Sequence, residues 1–105
     1  MSKIVNITDK LNNDKPQIKI GEEYYQVNDG METVIKFEEL IADSSVEKLT
    51  KAVEISLGDE AAKKLKVRTW SIGNFKVLTI AILAAMQGID YEEAEARFRK
   101  SEQQG

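Results

Sequence analysis

At 105 residues, 42% hydrophobic and 31% charged with one proline and six glycines, the chain reads as one folded domain rather than a disordered segment. Its formal net charge of −3 supplies no field to hold a polyanion. Cysteine and histidine are both absent, which excludes disulfides, thiolate metal sites, cysteine nucleophiles, a Ser-His-Asp triad and the commonest general base.

Residues 1–16 read as a loosely held polar arm whose internal apolar residues are Ile4, Val5, Ile7 and Leu11, with a short strand over residues 4–7. No long apolar run follows Lys3, so the start is not expected to be a signal peptide. Pro16 biases Lys15 toward an extended conformation. Ile18 and Ile20, then Tyr25 and Val27, alternate with polar residues on either side of Gly21-Glu22-Glu23, the pattern of a β-hairpin. An isolated hairpin is marginal in water and must lie on a helix or gain a third strand.

Asp29 with Glu32 reads as a capping box opening a helix over residues 30–42. Met31, Val34, Ile35, Glu38 and Ile41 fall along its expected inner side, widened by Phe37 and Leu40. Ser44 with Glu47 gives a second capping signature, for a helix over residues 45–57 carrying Val46, Leu49, Val53 and Leu57. Gly58 is the expected stop, and Asp59 the expected cap of a short helix holding Ala61, Ala62 and Leu65. Residues 66–70 are expected to be irregular or extended.

Residues 71–88, SIGNFKVLTIAILAAMQG, organise the chain. This helix, capped by Ser71 and ended by Gly88, is apolar on nearly every side and charged only at Lys76. A helix of that kind must be surrounded. Its uncharged run over residues 77–86 is about half the roughly 20 residues a membrane span needs, so the surroundings are expected to be the rest of the domain, with one face left for another subunit. Asp90 with Glu93 caps a last helix over residues 91–100, before a polar tail at 101–105. The expected fold class is therefore α+β: a small N-terminal hairpin packed on four to five helices within residues 17–100.

No catalytic constellation emerges. Glu92, Glu93 and Glu95 complement a helix N-terminus and pair forward with Arg97 and Arg99. The glycines form no phosphate-binding loop, and no metal or cofactor motif is present. Lys63, Lys64, Lys66 and Arg68 form the one basic concentration, readable as a helix C-terminus or as a patch for an acidic partner. Trp70 reads as a hydrophobic staple onto Phe75, or as an interface anchor.

METVIKFEEL, LGDEAAKKL and NFKVLTIAILAAMQGIDYEEAEARFRK, in this order behind IKIGEEYYQV, resemble the small tail assembly chaperones of long-tailed bacteriophages and their prophages in Gram-positive bacteria. The likeness covers residues 18–100 and is most specific over residues 84–98. It implies a non-enzymatic protein of the host cytoplasm that coats the helical tape-measure protein, keeps it soluble and recruits tail-tube subunits. The resemblance carries no fixed binding motif. The expected partner surface comes instead from side-chain chemistry: Trp70, the central-helix face of Val77, Ile80, Leu83 and Ala84, and the patch of Lys63, Lys64, Lys66 and Arg68. Two other readings stay open at this point, a tail-completion or connector subunit that forms a stable ring and a small nucleic-acid-binding regulator acting through the basic patch.

Overall fold

A two-residue turn sets the first element. In the computed structural model, which describes residues 3–12, 14–43 and 45–104, β1 (Gln17–Ile20) pairs antiparallel with β2 (Glu23–Gln26). Ile20 lies opposite Glu23, so Gly21 and Glu22 alone make the loop. Gly21 has φ +63°, the positive value that mirror-image hairpin turns demand at their first position. Ile18 and Val27 turn inward and are buried, and β1 lies on the central helix. The hairpin gains its support from a helix, one of the two ways open to it.

Five helices follow: α1 (Met31–Ala42), α2 (Val46–Leu57), α3 (Asp59–Leu65), α4 (Ile72–Gln87) and α5 (Tyr91–Gln104). The fold is α+β and mostly helical, as the pattern implies. α1 packs chiefly on α2 and α4 on α5, while α2 joins the two pairs through α4 and α5 reaches back to α1. One core runs through the set, with Phe37, Leu49, Val53, Ile82 and Phe98 almost completely removed from water.

The expected caps are found at both ends of α4, at the start of α5 and, with Gly58, at the end of α2, while the starts of α1, α2 and α3 differ. Ser71 Oγ accepts from the Asn74 N–H at 3.2 Å, and Gly88 ends α4 in the left-handed region at φ 65°. Asp90 Oδ1 accepts from the Glu93 N–H at 2.8 Å. At α1 the helix starts one residue later than the box requires: the cap position falls to Gly30, which has no side chain to cap with, and Asn28 Oδ1 accepts the Gly30 N–H at 2.9 Å in a local turn ahead of it. Asp29 is therefore not the cap. At α2 the cap is Ser45, accepting from the Lys48 N–H at 3.2 Å; Ser44 lies outside the described residues. Asp59 is the first residue of α3 rather than its cap, where its charge suits the helix dipole.

Three further expectations change. Residues 4–7 form no strand, because no ladder partner lies beside them among the described residues; the described part of the arm holds a 3-10 turn at Thr8–Lys10. Residues 66–70 are irregular rather than extended throughout: Lys66 is left-handed, Val67–Thr69 is a second 3-10 turn pinned by the buried Val67, and Trp70 alone is extended. The tail at 101–104 continues α5, since nothing helix-breaking intervenes before Gly105. The inner face of α1 also shifts, to Val34, Phe37, Leu40 and Ile41, leaving Met31 79% and Ile35 52% exposed. Apolar residues cover over half that helix, and the side carrying Phe37 is the one buried in the core.

Gly58 links α2 to α3 at φ 91°, ψ 153°, a region open almost only to glycine. Its N–H closes α2 on Glu54 O, while its C=O accepts the Ala62 N–H that begins α3. A Cβ would meet nothing within 4 Å, so the cost of Gly58→Ala is backbone strain alone. We expect a loss of about 1–3 kcal/mol, read as a lower denaturation midpoint with an unchanged slope.

Candidate functional site

The site begins with the way Trp70 is placed. α3 ends at Lys66, whose φ of 54° is left-handed and whose N–H returns to Lys63 O. That reversal feeds the Val67–Thr69 turn and delivers Trp70 in extended backbone just ahead of the α4 cap. The indole Nε1–H donates to Leu65 C=O at 2.9 Å, which fixes the ring and satisfies its one polar atom. Trp70 and Phe75 line one small cleft together with Val46, Val67 and Ile72, the placement a hydrophobic staple needs.

On its other side Trp70 closes the end of a larger groove. β1 supplies one wall through Ile18, Lys19 and Ile20; the other comes from Trp70 and the α4 residues Asn74, Val77, Leu78 and Ala81. The groove encloses about 570 Å³ and is predominantly apolar. Val77 on its wall is 50% exposed. An apolar groove of this size, with an aromatic in its lining, is a surface that gains by being covered.

Of the four α4 positions expected to meet a partner, Val77 stands at the surface and Ala84 is half-buried, while Ile80 and Leu83 belong to the core. Ile80 does reach the floor of a second, smaller cleft that Val77 shares with Tyr91, Phe98 and Arg99 of α5. The periodicity of a helix apolar all round cannot show which side is outermost. Ile18 and Ile20 were legible as hairpin residues but not as a wall of the groove, because their position opposite α4 is set by tertiary packing.

The basic concentration is diluted by acids from other elements. Lys64 Nζ lies 2.7 Å from Glu23 Oε2 on β2, and Arg68 lies 3.6 Å from Glu54 on α2. Lys63 and Lys66 are exposed beside them. Four cations thus become two ion pairs and two solvated lysines, which suits a helix end better than a phosphate track. The glutamates of α5 behave similarly: Glu93 pairs with Arg97 and Glu95 with Arg99. The side-chain amide of Gln87 ties three helices, donating to Glu38 Oε1 at 2.8 Å and accepting from Arg97. Among the described residues no group of three acidic side chains is placed to hold a metal ion, and no helix is long and apolar enough to cross a membrane.

Lys64 and the Tyr25 hydroxyl both donate to Glu23, and they lower its carboxyl below the usual 4.5, the lysine being the larger cause. A carboxyl depressed in the fold adds stability above its unfolded pKa, and loses it as pH falls through the folded value. Glu23→Gln should therefore melt slightly below the wild type at neutral pH. The gap should close as pH drops below about 4.5, and added salt should narrow it at pH 7.

A scan against protein-family models and searches of curated proteins and of solved structures find no match to this chain.

Proposed function

We propose that this protein is a non-enzymatic tail assembly chaperone of long-tailed phage type, which shields apolar helical segments of a tape-measure protein in the host cytoplasm and helps recruit tail-tube subunits. The resemblance over residues 18–100 suggests the class, and the groove between β1 and α4 is the observation that carries it. An amphipathic helix laid in such a groove buries its apolar stripe against Ile18, Ile20, Val77, Leu78 and Ala81, with Trp70 as the anchor. The acidic, charge-rich remainder of the surface keeps the complex in solution. No titratable cluster in the groove competes with this reading: its lining carries one charged residue, Lys19, whose ammonium lies 5.7 Å from the Tyr24 ring.

Co-expression with segments of the long helical protein encoded nearby tests the proposal. A segment that is insoluble alone should become soluble and co-elute with this chain. If no segment is held and the chain elutes as a closed ring that persists in purified tails, the proposal fails and the connector reading replaces it.

A further inference from the structure

The arm and the groove are two unsatisfied surfaces of one chain. Ile4 is 90%, Val5 73% and Ile7 54% exposed, although large aliphatic side chains gain free energy on burial. Their order suits a strand, with Val5 and Ile7 on one face, yet the single chain offers them no ladder.

The sheet is short of a strand. It contains only β1 and β2, and pairing alternates along it. Ile20 and Glu23 flank the turn and exchange hydrogen bonds, and the Val27 N–H reaches Pro16 O at 2.9 Å. Pro16, Ile18 and Ile20 therefore direct their backbone groups at β2, while Gln17 and Lys19 direct theirs away from it. That outer edge is a template for another strand, and Lys19 on it lines the apolar groove.

The chain's own arm makes local hydrogen bonds instead. Asn6 Oδ1 accepts from the Thr8 N–H at 3.0 Å and from the Thr8 hydroxyl at 2.7 Å. The 3-10 turn Thr8–Lys10 follows, and Asn12 Oδ1 then takes the Asp14 N–H at 2.9 Å. Residues 3–12 are exposed throughout. The Cα radius of gyration is 15.6 Å, above the about 13 Å of a compact domain this long, as an outstretched arm requires.

We propose that the arm of a second copy of this chain lies along the free edge of β1 as the third strand, with its Val5 and Ile7 in the groove beside Trp70 and Val77. Exchanged reciprocally, the two arms close a twofold dimer in which the β1 edge and the groove of both copies are covered. The inference uses the groove described above but does not depend on the helical partner. A helix entering the groove has to displace the arm, so the dimer is the resting form of the binding site.

Sedimentation of the full chain, with no other protein present, is the test. The wild type should dimerise with rising concentration. The double variant Val5→Asp/Ile7→Asp and the groove variant Val77→Asp should each sediment as monomers with wild-type helix content. Mixing the two variants should recover dimers, since a mixed pair joins an intact arm to an intact groove. A wild-type monomer at every concentration, including one whose own arm covers β1, overturns the proposal; so does a dimer indifferent to the arm substitutions, or a mixture that stays monomeric. Capture of a tape-measure segment is read in a separate experiment, so the two proposals fail independently.

Discussion

Phe37→Ala should cost about 3–5 kcal/mol, roughly a fifth or more of the stability of an ordinary domain. Phe37 is completely buried on α1, facing α2 within the core that also contains Ile82 and Phe98. Truncation removes the ring's transfer free energy and leaves a cavity that packed helices on several sides cannot close. For a chain of this length the melting temperature should fall by more than about 10 °C. Ile35 on the same helix provides the control. It is 52% exposed, so Ile35→Ala should change stability by no more than about 0.5 kcal/mol. Thermal and denaturant unfolding of the two variants side by side checks both the magnitude and the assignment of the inner face. Equal losses would place the core of α1 on the side of Met31 and Ile35.

That contrast shows where the sequence was legible and where it was not. Helix ends fixed by local chemistry could be read directly. Ser71 and Asp90 bond to N–H groups three residues on, and Gly88 supplies a positive φ. At α1 pattern failed: the helix begins one residue later than the Asp29 to Glu32 spacing implies, with Gly30 at the cap position and Asn28 accepting the Gly30 N–H ahead of it. The side of a helix that turns inward was readable on α2, where Leu49 and Val53 stand out among polar neighbours. On α1 the apolar residues form two stripes, and the choice between them depends on a neighbouring helix. On α4 nearly every position is apolar, so the burial of Ile80 and Leu83 and the exposure of Val77 come from tertiary packing alone. The groove is least legible of all. Its walls are far apart in sequence, and neither β1 nor α4 carries a sign that the other lies opposite. The same holds for Lys64, which seemed part of a basic patch until the hairpin brought Glu23 within 2.7 Å.

Val77→Asp should reduce capture of a helical tape-measure segment at least about 100-fold, equivalent to about 2.8 kcal/mol. Val77 lies on the groove wall and is half-exposed in the free chain, so an aspartate there stays hydrated until a partner covers it. Valine and aspartate have similar helix propensities, and the fold should lose little. Once a helix docks, the carboxylate loses its water; Lys19 on the groove and Lys76 and Arg99 in the neighbouring cleft offset part of that cost, but the desolvation of a poorly paired charge costs several kcal/mol. Solubilisation of a co-expressed segment, with binding quantified on whatever purifies, reads the effect. Helix content and melting temperature show whether the fold has survived. Glu92→Ala gives the complementary control. It is exposed at the start of α5, outside the groove lining, and should leave capture unchanged. If Val77→Asp binds as the wild type does, the partner surface lies elsewhere, and the exposed Met31 and Ile35 on α1 become the next face to substitute. If both substitutions weaken capture equally, the attraction is carried by the domain's charge and not by the apolar groove. Loss at Val77 alone, with an intact fold, ties capture to the surface between β1 and α4.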